Sequence, residues 1–213
     1  TQVGSSAASD VYKRQYGHRL DTTLVELNSD AKISGLFTSN KFKSAPVQIC
    51  LDQLEAKMKG KKMLAINAGN ANAATGKKGV SDAKKLIKEI SNLTNISTAQ
   101  ILPFSTGVVG QLLDMKELSS AFNKCFKNLS KNSWDDFAKA IMTTDTKSKI
   151  IKLPFKAGSK KYHIIGIAKG VGMIEPNMAT TLSYVFTDLK IPELTLRKLH
   201  KRICDKTFNA ISI

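Results

Sequence analysis

The segment that most limits the fold is a compact, mostly apolar run, Met63–Asn67, that passes straight into a loop of asparagines, glycines and alanines. A run this short suits a buried strand better than a helix. Beyond the loop, Ala83, Leu86, Ile87, Ile90 and Leu93 recur at helical spacing, with Ser81 as the expected N-cap. Strand, loop and helix therefore follow one another within about thirty residues, the length of one α/β unit.

The alternation continues along the chain. Thr22–Leu27, Ile33–Thr38 and Val47–Cys50 read as strands, and Leu51–Met58 as a short helix. Gln100–Phe104 reads as a strand, followed by a helix around Leu112–Leu129. Another helix opens at Ser133 and puts Trp134, Phe137, Ala138 and Ile141 on one face. Ile150–Phe155 and Tyr162–Ala168 pair as a hairpin across the Lys/Gly-rich turn Lys156–Lys161. Thr181–Phe186 is a further strand, and Leu194–Ser212 a helix expected to run almost to Ile213. A helix without a stop signal is what a truncated chain would show. The pattern defines a mixed α/β chain without internal repeats.

Composition narrows the function. Of 213 residues, 42% are hydrophobic, enough for a core and too many for wholesale disorder. No apolar run approaches the ~18–20 residues of a membrane span. The net charge of +16 invites a nucleic-acid reading, but the basic residues are overwhelmingly lysines in short, scattered clusters. Base readout and bidentate phosphate clamps favour arginine, so a solvated lysine surface is the better reading. Cys50, Cys125 and Cys204 are far apart, as are His18, His163 and His200, which argues against zinc and against a disulfide framework. Residues 1–15 are small and polar without periodicity and read as a disordered or non-native leader.

Four segments could carry chemistry. Asn67–Gly76 (NAGNANAATG) could shape a pocket or simply satisfy its own backbone through Asx turns. Ser105–Gly110 (STGVVG) offers a threonine hydroxyl and a glycine N–H to a developing oxyanion, or is a plain strand-to-helix turn. Met142–Thr146 (MTTDT) offers hydroxyls to a polar substrate, or terminates the preceding helix. Lys169–Thr180 (KGVGMIEPNMAT) delivers a threonine after a small residue at the end of a Gly/Pro loop. A threonine freed at such a point would carry an α-amine titrating near ~7.7–8.0, able to act as its hydroxyl's general base. An ordinary threonine at a strand start is the plainer reading of Thr180 from spacing alone.

Taken together and in this order, the four segments resemble the signatures of the ornithine acetyltransferase family, the glutamate N-acetyltransferases of arginine biosynthesis. Gly35–Asn40 (GLFTSN) and Ala45–Val47 (APV) add to a resemblance that covers about residues 20–190. It implies self-cleavage between Ala179 and Thr180, with Thr180 as the new N-terminus and the nucleophile that carries acetyl. Thr106 and Gly107 match the family's oxyanion hole. Thr143, Lys169 and Thr180 match substrate-binding positions, an ammonium at Lys169 being suited to an amino-acid carboxylate. The implied reaction moves acetyl from N-acetylornithine to glutamate through an acetyl-threonine. No metal or prosthetic group is implied; acetyl-CoA enters only as a substrate, used by some members.

The implied fold is a layered αββα-type sandwich of the N-terminal-nucleophile kind with a smaller second α/β domain. Residues 16–179 correspond to the first subunit and 180–213 to the start of the second. Family precursors run to about twice this length, so the resemblance implies a chain truncated before the smaller domain and inactive alone. It further implies an α2β2 assembly in the cytoplasm, with no nucleic-acid or membrane partner. Thr181 stands where many members carry methionine. Two other readings are an N-terminal-nucleophile aminopeptidase of related fold and a basic nucleic-acid-binding protein.

Overall fold

A computed structural model describes the backbone of residues 4–7 and the whole of residues 20–170 and 181–211. The first sheet contains β1 (Gly4–Ala7), β2 (Thr22–Leu27), β3 (Lys62–Asn67) and β4 (Ile101–Ser105) in that order. β1–β2 and β2–β3 are antiparallel, and β3–β4 is parallel. β1 lies in the segment read as a leader, which thus contributes an edge strand. The second sheet is an antiparallel meander of β5 (Lys149–Ala157), β6 (Lys160–Lys169) and β7 (Leu182–Thr187).

The first sheet is apolar on both faces because its central strand alternates between two cores. Leu24, Met63, Ala65 and Ile101 face one core with Ala83, Leu86, Ile87 and Ile90 of α2 (Gly76–Thr94) and Leu118, Phe122 and Cys125 of α3 (Met115–Lys127). Val25, Leu27, Leu64, Ile66 and Leu102 face the other, shared with Ile167 and Tyr184 of the second sheet and Phe137, Ala138 and Ile141 around α4 (Trp134–Ala140). The strand parity of two therefore produces a helix–sheet–sheet layering. On the far side of the second sheet, Ile151, Leu153 and Val185 are 53%, 49% and 65% exposed.

Aromatic packing joins the sheets. Tyr184 lies 5.3 Å from Phe104 and 5.1 Å from Phe137, and Trp134 lies 5.1 Å from Phe186, measured between ring centroids. At the edge of the first sheet, α1 (Ala45–Glu55) covers β4, and the Cys50 thiol donates to the Pro103 carbonyl at 3.1 Å. Pro103 sits on an edge strand, where a missing N–H is tolerated.

Several elements differ from the sequence expectation. Val47–Cys50 is helical, because Pro46 stands in the first turn of α1 and Ala45, Pro46, Ile49 and Cys50 form one buried stripe. Strand and helix expected over 47–58 thus merge into one helix. Ile33–Thr38 is irregular; Ile33 and Phe37 pack on the inter-sheet core without a ladder. Ser81 is inside α2 rather than capping it, since the helix starts at Gly76. α3 begins later than expected, at an Asp114 N-cap that accepts from Glu117 N–H at 3.1 Å. The last helix, α5 (Glu193–Lys206), gives way to a short 3-10 turn at Phe208–Ala210. Among the described residues, no helix is long and apolar enough to cross a membrane.

Phe137 is fully buried where α4 meets both sheets. Phe137→Ala is expected to lower the unfolding free energy by ~3–5 kcal/mol, through lost burial and a cavity. Urea titration followed by circular dichroism measures it; a loss below ~1 kcal/mol would refute this junction as a main source of stability.

Candidate active site

All four singled-out segments, the last through Lys169 and Gly170, meet where β4 and β6 end. The asparagine-rich loop after β3 and the STGVVG loop after β4 are bound together along their length. Thr106 N–H donates to Asn67 O at 3.0 Å, Val108 N–H to Gly69 O at 3.1 Å, Ala71 N–H to Val108 O at 2.9 Å and Gly110 N–H to Ala73 O at 2.8 Å. The asparagine side chains complete the join. Ser105 Oγ donates to Asn67 Oδ1 at 2.6 Å, and Asn70 Nδ2 reaches the carbonyls of Gln111 and Leu112, both at 3.1 Å. Asn72 Nδ2 donates to Gly79 O at 3.0 Å, while Thr75 Oγ1 donates to Asn72 Oδ1 at 2.8 Å. The amides are thus spent on backbone, as the plainer reading of this segment expects, and what they hold is the neighbouring loop.

Gly107 is where the two loops come closest. Its φ is +132°, and a Cβ there would lie 2.3 Å from the Gly69 carbonyl carbon and 2.6 Å from Asn70 N. Only glycine fits both the angle and the approach. Among the described residues, the Gly107 N–H has no hydrogen-bond partner.

Lys169, the last residue of β6, crosses from the second sheet to the first. Its ammonium donates to Thr106 Oγ1 at 3.0 Å, and both residues are buried. An ammonium has no acceptor, so Thr106 Oγ1 is the acceptor and its own proton points elsewhere. The pair thus leaves the Thr106 hydroxyl as a donor beside the Gly107 N–H. Burial pushes the Lys169 pKa below the usual lysine value, Asp145 pulls it back up, and Lys149 pushes it down.

The MTTDT segment follows α4, and there the hydroxyl singled out from the sequence is accompanied by a buried acid. Asp145 Oδ1 accepts from Gly170 N–H at 3.0 Å and from Lys149 Nζ at 2.5 Å; Oδ2 accepts from Thr143 N–H at 3.3 Å. Burial alone would raise the Asp145 pKa, but the hydrogen bonds from Lys149, Gly170 and Thr143 outweigh it and hold it below the usual carboxylate range. Its stabilising contribution is present at neutral pH and is lost as pH falls through that lowered value. Thr143 itself is buried. The sequence contains Asp145 within a hydroxyl-rich run, but only burial and its partners distinguish it from a helix-terminating acid.

Ala179 and Thr180 lie outside the described residues. Thr181, bonded to Thr180, is described: a Cβ at Gly170 would lie 3.2 Å from Thr181 Oγ1, and Leu182 pairs with Lys169 in the β6–β7 ladder. Thr106, Gly107, Thr143 and Lys169 are thus brought to one end of the two packed sheets.

A layered α/β fold with a threonine hydroxyl, a glycine N–H and a buried lysine at the sheet ends is the frame of this site. The chain matches the ArgJ family over residues 5–213 and belongs to that family. The match takes in most of the segment read as a leader. It is 40% identical to the arginine biosynthesis bifunctional protein ArgJ of Colwellia psychrerythraea, over 92% of this chain and 48% of that protein. It is also 40% identical to the protein of that name from Caldanaerobacter subterraneus, over 97% of this chain and 51% of the relative. The chain therefore spans about half the length of these relatives. Among solved structures, it resembles the ArgJ protein of Bacillus halodurans with a TM-score of 0.73 and 27% identity, over 84% of this chain and 92% of that one. It resembles ornithine acetyltransferase of Mycobacterium tuberculosis, solved with ornithine, with a TM-score of 0.69 and 25% identity, over 84% of this chain and 93% of that one.

Gly107→Ala is expected to destabilise the chain by more than ~1–3 kcal/mol, since both the positive φ and the contact with Gly69 resist a methyl. Hydrogen exchange at Thr106, Val108 and Gly110 should accelerate together. Unchanged exchange at these three amides would show that the loops do not depend on this approach.

Proposed function

We propose that this chain carries the nucleophile and oxyanion side of an ornithine acetyltransferase, moving acetyl from N-acetylornithine to glutamate in arginine biosynthesis. The observation that carries this is the Lys169–Thr106 contact beside the Gly107 N–H, with Thr181 seated against Gly170 at the same place. Family membership and the likeness to a protein solved with ornithine support the substrate class.

In this reading the peptide bond between Ala179 and Thr180 breaks first. The Thr180 hydroxyl attacks the Ala179 carbonyl, the bond to nitrogen breaks, and water hydrolyses the ester to leave a free Thr180 α-amine. This chain covers nine-tenths of each solved chain it resembles and about half of each curated relative. A match of that extent is compatible with cleavage near the middle of a precursor.

Acetyl transfer then proceeds in two halves. The α-amine accepts the proton from Thr180 Oγ as the oxygen attacks the acetyl carbonyl of N-acetylornithine. Thr106 Oγ–H and Gly107 N–H donate to the oxyanion. Ornithine leaves with the proton, and acetyl remains on Thr180. The amine of glutamate attacks that ester, and the same groups act in reverse. Lys169 pairs with the amino-acid carboxylate, and Thr143 forms the wall beside it. Acetyl-CoA, where used, would load the same threonine. In this reading the two pieces of one precursor stay associated, as an α2β2 assembly in the cytoplasm.

Intact mass and N-terminal sequencing test the cleavage. A piece beginning at Thr180 is expected, and Thr180→Ala should remain uncut. A full-length protein that stays uncut with Thr180 in place would overturn the reading. In the full-length protein, Thr106→Val is expected to lower kcat for acetyl transfer by ~10²–10³-fold, the effect of losing one oxyanion donor. A kcat within a few-fold of the unaltered protein would remove Thr106 from the oxyanion hole.

A further inference from the structure

We propose that Asp145 is a positioning residue: its buried carboxylate ties the Thr143 segment to Gly170 at the end of β6 and places a negative charge on the Lys169 side of the site. This rests on the reading of Lys169 as the group that receives a substrate carboxylate.

The hydrogen bond the Lys169 ammonium makes is to a neutral hydroxyl, which offsets little of the cost of burying a charge. Among the described residues, the charged groups that act on Lys169 are Asp145, from the loop after α4, and Lys149, from the start of β5. They act in opposite directions. Asp145 is 5% exposed and uses both oxygens, one on the Thr143 N–H and the other on the Gly170 N–H next to Lys169 in the chain. Lys149 bonds the same carboxylate but is 48% exposed at its side chain, so water screens it more than the acid it pairs with. The carboxylate therefore fixes the backbone at Thr143 and Gly170 and supplies the negative charge that favours an ammonium there.

A merely structural acid would hold the backbone without setting the charge of Lys169. The test separates the two. Trace acetylation with acetic anhydride, read by peptide mass spectrometry across a pH series, gives the midpoint at which Lys169 becomes reactive in the intact 213-residue chain. Asp145→Asn is expected to move that midpoint to lower pH, and Lys149→Met to higher pH. Opposite shifts support the proposal; no shift, or shifts in the same direction, overturn it. Should Asp145→Asn fail to fold by circular dichroism, it is read in the Lys149→Met background, which leaves no unpaired ammonium: the midpoint must fall relative to Lys149→Met alone, and an unchanged midpoint overturns the proposal.

The full-length protein supplies the second readout. Asp145→Asn is expected to raise KM for N-acetylornithine ~10-fold or more with a smaller change in kcat, the pattern of lost ground-state binding. An unchanged KM would overturn the link to substrate. If acetyl transfer proves independent of Thr180, the functional reading falls, while the Lys169 midpoints still decide whether Asp145 sets its charge.

Discussion

A buried ammonium with a hydroxyl for a partner is the constraint on which the site depends. Lys169 ends a strand of the second sheet, and Thr106 follows a strand of the first. Their hydrogen bond holds only if the sheets pack in register over a shared core. Phe137, Tyr184 and Ile167 provide that packing, and Phe104, just before Thr106 in the chain, reaches Tyr184 directly. Because an ammonium only donates, the contact also decides where the threonine proton goes. Packing thus becomes proton direction.

The asparagine-rich loop does a different kind of work. Its amides face carbonyls and hydroxyls of the chain, so it holds a shape and leaves chemistry to its neighbour. The STGVVG loop is held by backbone bonds to it at several points, and Gly107 is pressed against Gly69 at the tightest one. A donor held this way undergoes little rearrangement when charge develops nearby.

Much of the frame was legible in the sequence, and the misreadings have definite causes. The β5–β6 hairpin, β2, β3 and β4 announce themselves because continuous or alternating apolar runs are bounded by turn residues. Val47–Cys50 carries the β-branched character of a strand, yet Pro46 in the first turn and the stripe through Ile49 make it a helix. Ile33–Thr38 has strand composition without a strand beside it, and no single-chain pattern can supply a missing partner. Thr106, Gly107, Thr143 and Lys169 were singled out only through ordered segments resembling a family; spacing alone favoured a turn and a helix end. Asp145 was hidden for a physical reason. An acid after a helix is common, and its weight comes from contacts with Gly170, twenty-five residues away in the chain.

The backbone-to-backbone meeting of Gly107 with Gly69 has a consequence for how such a pocket can change. A glycine-on-glycine contact has no side chain to vary, so that junction is closed to gradual change. Variation around it falls instead on neighbours that present side chains, Thr106, Thr143 and Lys169. Libraries built on this chain would do best to vary those neighbours and leave the glycine junction fixed.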